Sequence, residues 1–290
     1  MIGVPVLFVS NVVIQFYKIE KVDVATIEKT TKQGNPYSHD FENPMVENGQ
    51  YVFLYVCETE LREEWNKLSE LKYDSIGSNG FPVHATLLRY LTSKGVRKDA
   101  EGIRVLNETD IKNIENGIAN VIFSGHKFSL YPRIYQTVWE YYIYSKTGNA
   151  NQQSFSQRIE YAKAAVSIIK QNFWFGVGPG NWKEEFEKVY HRNNPQFSEE
   201  NYASSHNQYL NYMVKFGFVG FAAIMFFLVY PVVKTKKYRD VLFLIFLIYM
   251  FFANFADSNL ESHMGSSFFV FFYCLFIIGN KTDFLHLDEK

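Results

Sequence analysis

Residues 216–233 form an unbroken apolar run without a single charge, and Lys234, Lys236, Lys237 and Arg239 follow it at once. At 1.5 Å per residue such a run makes a helix of about 27 Å, close to the thickness of a bilayer's hydrocarbon. Two further apolar runs, 241–256 and 264–279, reach a spanning length with a few flanking residues, which Tyr238 and Asn254 supply at the interfaces. Four basic residues in one short loop mark that loop as cytoplasmic. Residues 18–206 and 257–263 are then expected outside and the C-terminus inside, although Lys18 and Lys21 pull the other way for the apolar segment 1–17.

Composition narrows the function classes. With 29 basic and 30 acidic residues the net charge is -1, and no basic stripe points to nucleic acid. Of the 28 Phe, 17 crowd into the last third, where bulky apolar residues facing lipid carry no penalty. Cys57 and Cys274 lie in unlike surroundings, which argues against a disulfide framework. The seven histidines (39, 84, 126, 191, 206, 263 and 286) show no pair at ligand spacing on one helix, so no metal site is expected. No nucleophile elbow is present either. A transporter would be expected to carry charges inside its spans, and these runs are almost uncharged.

The region before the spans is polar. Asn35-Pro36 and Asn43-Pro44 mark turns in a loop that continues to Asn48-Gly49. Residues 51–56 read as a β-type run, followed by helices near 58–71, 84–91 and 109–115. Residues 128–144, dense in Tyr, fit either a membrane-interface belt or an aromatic core helix. Ser154 and Gln157 form a capping-box pattern that opens a helix to about 172. Arg158 sits in its first turn, where the positive helix end opposes a cation, so it is either a surface arginine or the partner of a bound anion.

Gly176, Gly178 and Gly180 alternate in the stretch 175–182. No βαβ unit surrounds them, so a tight turn between helices, offering backbone N–H groups to an anion, is preferred to a dinucleotide site. Ser205 and Gln208 form a second capping box, with His206 expected as the first helical residue at the membrane boundary. A positive helix end disfavours imidazolium, so His206 is expected to be neutral and able to accept a proton. The other reading is an interfacial polar residue without a role.

Three stretches in this order carry a resemblance. They are Gln157-Arg158-Ile159-Glu160-Tyr161, then Gly176-Val177-Gly178-Pro179-Gly180-Asn181-Trp182, then Ser205-His206-Asn207-Gln208-Tyr209-Leu210 heading a membrane helix. Together they resemble the C-terminal part of the bacterial O-antigen ligase and polymerase superfamily, in the Bacteroidetes-type form with a long periplasmic loop. The resemblance covers residues 150–280. It implies an α-helical polytopic membrane protein with a mainly α periplasmic loop domain, read here as a fragment of a larger multi-span protein of the bacterial inner membrane. Its parts are an apolar segment at 1–17, a periplasmic loop domain at 18–206, membrane helices at 207–233, 240–256 and 264–280, and a cytoplasmic tail at 281–290.

The resemblance also implies a function. Such enzymes move a glycan from an undecaprenyl-pyrophosphate donor to a lipid A-core hydroxyl, or to a growing chain, without a metal or other cofactor. His206 is then the catalytic residue that activates the acceptor hydroxyl, and Arg158 holds the donor pyrophosphate, with Gly178, Gly180 and Asn207 as further substrate-binding candidates. The expected partners are the lipid-linked glycan, the acceptor and the bilayer. Polymerase activity and a non-catalytic membrane-anchored fragment are the alternatives.

Overall fold

A computed structural model describes residues 3–125 and 129–279, with the side chains of residues 3–5 left aside. Phe128, His126, His286 and the expected tail at 281–290 lie outside the described residues. The chain divides into two compact units, residues 1–148 and 149–290. This boundary falls inside the region 18–206 that the sequence presents as one loop domain.

The first unit is mostly helical: α1 (Gly3–Phe16), α2 (Glu58–Leu68), α3 (Val83–Ser93), α4 (Ala100–Arg104), α5 (Glu108–Glu115) and α6 (Tyr131–Thr147). A two-residue hairpin, β1 (Val46–Glu47) with β2 (Gln50–Tyr51), is its only sheet among the described residues, paired Val46 to Tyr51 and Glu47 to Gln50. Asn48 and Gly49 both take positive φ, as the tight mirror-image hairpin turn requires. The β-type run 51–56 is therefore not a strand beyond Tyr51; Val56 makes only isolated bridges, to Ser38 and Lys98.

Local chemistry explains several boundaries. Asn107 and Asp110 exchange side-chain and backbone bonds in a capping box that starts α5. Gly148, at φ 68°, ends α6 in the left-handed conformation favoured after a helix. Leu61, Trp65, Leu87, Leu91 and Ile103 fill one core. In α6, Tyr135 and Tyr142 pack on Val12 and Phe16 of α1, which makes this tyrosine-rich helix an aromatic core element.

The second unit is built from α7 (Ser154–Gln171), α8 (Trp182–Asn193), α9 (Gln208–Lys234), α10 (Val241–Ala256) and α11 (His263–Ile278). Ser154 is the first residue of α7 rather than its cap; Gln153 holds the N-cap position. Tyr161, Phe186, Tyr190 and Phe197 pack the polar half. Phe243, Phe246, Phe269 and Phe276 join α10 to α11 through stacked rings.

Among the described residues one helix, α9, is long and apolar enough to cross a membrane; α10 and α11 have 16 residues each and are shorter. Their outer surfaces leave Phe227, Leu242, Phe252, Phe255 and Phe271 exposed, a coat of large apolar side chains suited to lipid.

Helix α9 is not continuous. At Gly217 (φ 62°, ψ -170°) the backbone leaves the helical region, which divides a short arm, residues 208–216, from a longer apolar arm, 218–234. A break strands N–H and C=O groups, a serious cost near hydrocarbon. Residues 173–178 satisfy them. Phe218 N–H donates to Phe173 O (2.7 Å), and Val219 N–H donates to Trp174 O (3.1 Å). Val177 and Gly178 in turn donate to the carbonyls of Val214 and Lys215, each at 2.9 Å. A Cβ on Gly176 would meet Gly217 N at 2.6 Å, and one on Gly217 would meet Phe175 N at 2.4 Å. Only glycine fits at either place, and both have positive φ.

Candidate functional site

The end of α10 organises a polar cluster. A helix leaves its last carbonyls without partners in its own ladder. Asn207 Nδ2 donates to Phe255 O at 3.0 Å, and Arg158 Nη1 donates to Ala256 O at 2.7 Å. A guanidinium at a helix C-terminus also meets the negative end of the helix dipole. The next residue, Asp257, accepts through Oδ1 from its neighbour Ser258 N–H (2.7 Å) and lies 3.1 Å from His206 Nδ1.

One short loop thus brings Arg158 from α7 and His206 from the start of α9 to a shared point. Asp257 was not singled out by sequence reasoning, and the signal available was its place in the 257–263 loop on the same expected side as His206. Burial raises the carboxyl pKa of Asp257, but the Ser258 N–H, His206 and Arg158 together outweigh it and hold the group below its ordinary value.

His206 is not helical. Asn207 is the N-cap, its Oδ1 accepting from the N–H groups of Tyr209 and Leu210 (both 3.0 Å), and His206 precedes it at φ 47°. The expected Ser205–Gln208 capping box is absent. Ser205 Oγ donates to Asn211 Oδ1 at 2.7 Å instead, and the buried Gln208 amide accepts from Leu260 N–H (2.9 Å) and donates to Glu261 (3.2 Å). Asn211 Nδ2 donates to Ser258 Oγ at 2.7 Å. Gln208 and Asn211, both buried, therefore rivet the Asp257 loop to α9. The positive φ of His206, sparsely populated by non-glycine residues, turns its ring back over the cluster, 5.4 Å from the Tyr161 ring.

The other expected residues have different surroundings. Asn207 gives its oxygen to the cap and one N–H to Phe255, which fixes its amide at the end of α10. The N–H groups of Gly176, Val177 and Gly178 are committed to the carbonyls of Asn172, Val214 and Lys215. At those three positions the loop is a splint for the broken helix and does not present an anion cradle. Gly178 and Gly180 have nothing within 4 Å of a built Cβ, which places both on an open edge.

Chemically, the pair can move a proton. When Nδ1–H of His206 donates to Asp257, the neutral ring keeps its lone pair on Nε2. His206 and Asp257 remain 38% and 54% exposed in their side chains, so a substrate hydroxyl can reach them. Arg158, also exposed, spends Nη1 on Ala256 and carries further donors in its planar fork. Among the described residues no three His, Cys, Asp or Glu gather into a metal-holding group. Beside the cluster, a groove of about 590 Å³ runs between α9, α10 and α11, lined by Gln208, Tyr209, Met225, Met250 and Phe269. Asn254 also lines it, buried, with Oδ1 unpartnered.

The sequence model of a family described as O-Antigen ligase matches residues 110–225, which include Arg158, the glycine loop and His206. No curated protein and no solved structure matches the chain.

Proposed function

We propose that the chain, whose residues 110–225 match the O-Antigen ligase family model, is a member of the O-antigen ligase/polymerase superfamily that transfers a glycan from an undecaprenyl-pyrophosphate donor to a hydroxyl of a lipid A-core acceptor, at the outer face of the bacterial inner membrane. The observation that carries this reading is the His206–Asp257 pair at 3.1 Å, beside Arg158 on the same helix end.

The acceptor oxygen attacks the anomeric carbon, whose bond to the pyrophosphate oxygen breaks. The acceptor proton passes to Nε2 of His206, and undecaprenyl pyrophosphate leaves with the electron pair. Asp257 orients the ring and stabilises the imidazolium that forms. Arg158 pairs with the pyrophosphate, whose charge grows as it departs; a planar fork suits phosphate oxygens. The groove between α9, α10 and α11 offers an apolar bed for the polyprenyl tail of the donor. A multi-span arrangement, with the basic stretch Lys234 to Arg239 on the cytoplasmic side, completes the reading.

The test is glycan attachment by the full-length protein in cells. His206→Ala should reduce transfer by roughly 10²–10⁴-fold at unchanged protein level. His206→Gln, which can hydrogen-bond but takes up no proton, should fail as well, and Arg158→Lys should be impaired. Wild-type transfer by His206→Gln would overturn proton abstraction by this ring. Extension of the glycan in place of its attachment to lipid A-core would assign a polymerase.

A further inference from the structure

The membrane reading leaves one surface of the second unit unexplained. Phe173, Trp174 and Phe175 are consecutive and 42%, 60% and 77% exposed. Water-exposed aromatics of this size in a row are unfavourable, since each leaves a large apolar area unburied. They belong to the segment that splints the break in α9, and Phe218, at the start of the longer arm, stacks on Phe173 with ring centroids 5.5 Å apart and remains 45% exposed.

Helix lengths place this patch in depth. The arm 218–234 measures about 26 Å, and α10 and α11, with 16 residues each, about 24 Å. The arm 218–234 ends in the basic stretch that begins at Lys234, and its other end is the break at Gly217. The break therefore lies near the opposite boundary of the hydrocarbon, where Trp is enriched and where Phe beside it can bury its ring at the headgroup–acyl boundary. Because residues 173–174 bond to the backbone of residues 218–219, the aromatic loop is held at that level and cannot sink or rise independently.

We propose that Phe173, Trp174 and Phe175 form an interfacial anchor that dips into the outer leaflet of a lipid bilayer beside the break in α9. The anchor rests on the membrane reading of the previous subsection. It ties the end of α7, the helix that carries Arg158, to the bilayer surface.

The chain is reconstituted in phosphatidylcholine vesicles whose acyl chains carry bromine either near the headgroup or near the bilayer centre. Tryptophan quenching is compared between the wild type and Trp174→Phe, a change at an exposed ring. The Trp174 contribution should be quenched more strongly by the shallow label than by the deep one, and that quenching should be lost in Trp174→Phe. Phe227→Trp in the Trp174→Phe background serves as a depth control, because Phe227 lies mid-arm and is 71% exposed. Deep quenching of that control together with quenching of Trp174 by aqueous iodide alone would overturn the anchor and leave the membrane reading standing. Quenching of Trp174 by neither lipid nor iodide would show a protein-covered patch and would also overturn it. Failure of the Phe227→Trp control to respond to either lipid would overturn both.

Discussion

Each unit holds one charged pair that the other does not resemble: a sealed one in the first, an open one in the second. In the first, Glu47 is fully buried and pairs with Arg89 (2.6 Å), while Asn120 and Tyr135 donate to its second oxygen. Burial pushes its carboxyl pKa up, and Arg89 with the neutral donors only partly opposes this. Arg89 in turn lies 4.4 Å above the Trp139 ring. That network closes around the buried acid, whose two carboxylate oxygens are both taken. In the second unit the comparable pair, His206 with Asp257, is half open and sits on a helix end. The contrast teaches that a titratable pair is read by what its atoms have left to give. Saturated groups hold the fold, and groups with donors or lone pairs left over are available for chemistry.

The sharpest break of the comparison is Arg89→Met. It leaves the buried Glu47 carboxylate without its counter-charge and should cost about 3–5 kcal/mol of stability. Proteolysis of the detergent-solubilised chain across a denaturant series would measure it. Because the raised pKa of Glu47 lets a proton remove the orphan charge, the loss should shrink as pH falls. An unchanged midpoint would show that the network does not carry the first unit.

Asp257→Asn comes next and should do the reverse. Transfer should fall roughly 10²-fold through a misoriented ring, with stability little altered. A large loss of stability with normal transfer per folded molecule would place Asp257 among the structural charges instead.

The smallest effect sharpens the first unit's side of the contrast. Lys98 is buried with Nζ donating to Tyr51 O (3.2 Å), and burial, aided by Arg97 and opposed by Asp99, lowers its pKa to about 7. The unfolded chain binds this proton up to pH 10.5, so stability should rise with pH between 7 and 10.5 and carry the full penalty below 7. Lys98→Met should therefore stabilise by about 1–2 kcal/mol at neutral pH and flatten that slope. Destabilisation at pH 7 would mean that the bond to Tyr51 outweighs the buried charge.

Much of the helical scaffold was legible in the residues, because apolar periodicity and breaks in it are local properties. Residues 241–256 were bounded as observed, and the short helix expected near 109–115 is α5. Arg158 and His206 were legible as residues at odds with their surroundings, one a cation near a helix start and the other a histidine at a polar–apolar boundary. Their common neighbour was not. Asp257 lies 51 positions from His206, and nothing local distinguishes it from any carboxylate after a helix. The capping box at Ser205 failed because Asn207 competed successfully for the cap, and the freed Gln208 bonded across to residues 260–261. The break at Gly217 was hidden too, since a glycine inside an apolar run looks like any small residue in a spanning helix. What makes it a break is a backbone partner some forty positions earlier.

That partner's place in the chain has a consequence for biogenesis. Residues 173–178 leave the ribosome before α9 does, so the four backbone groups around the break can be matched as the helix enters the bilayer. Were the order reversed, the helix would have to partition with two bare amides and two bare carbonyls near its outer end, each costing several kcal/mol in hydrocarbon. On the membrane reading proposed above, the glycine-rich segment is placed to serve as an insertion template whose timing is written into the direction of synthesis.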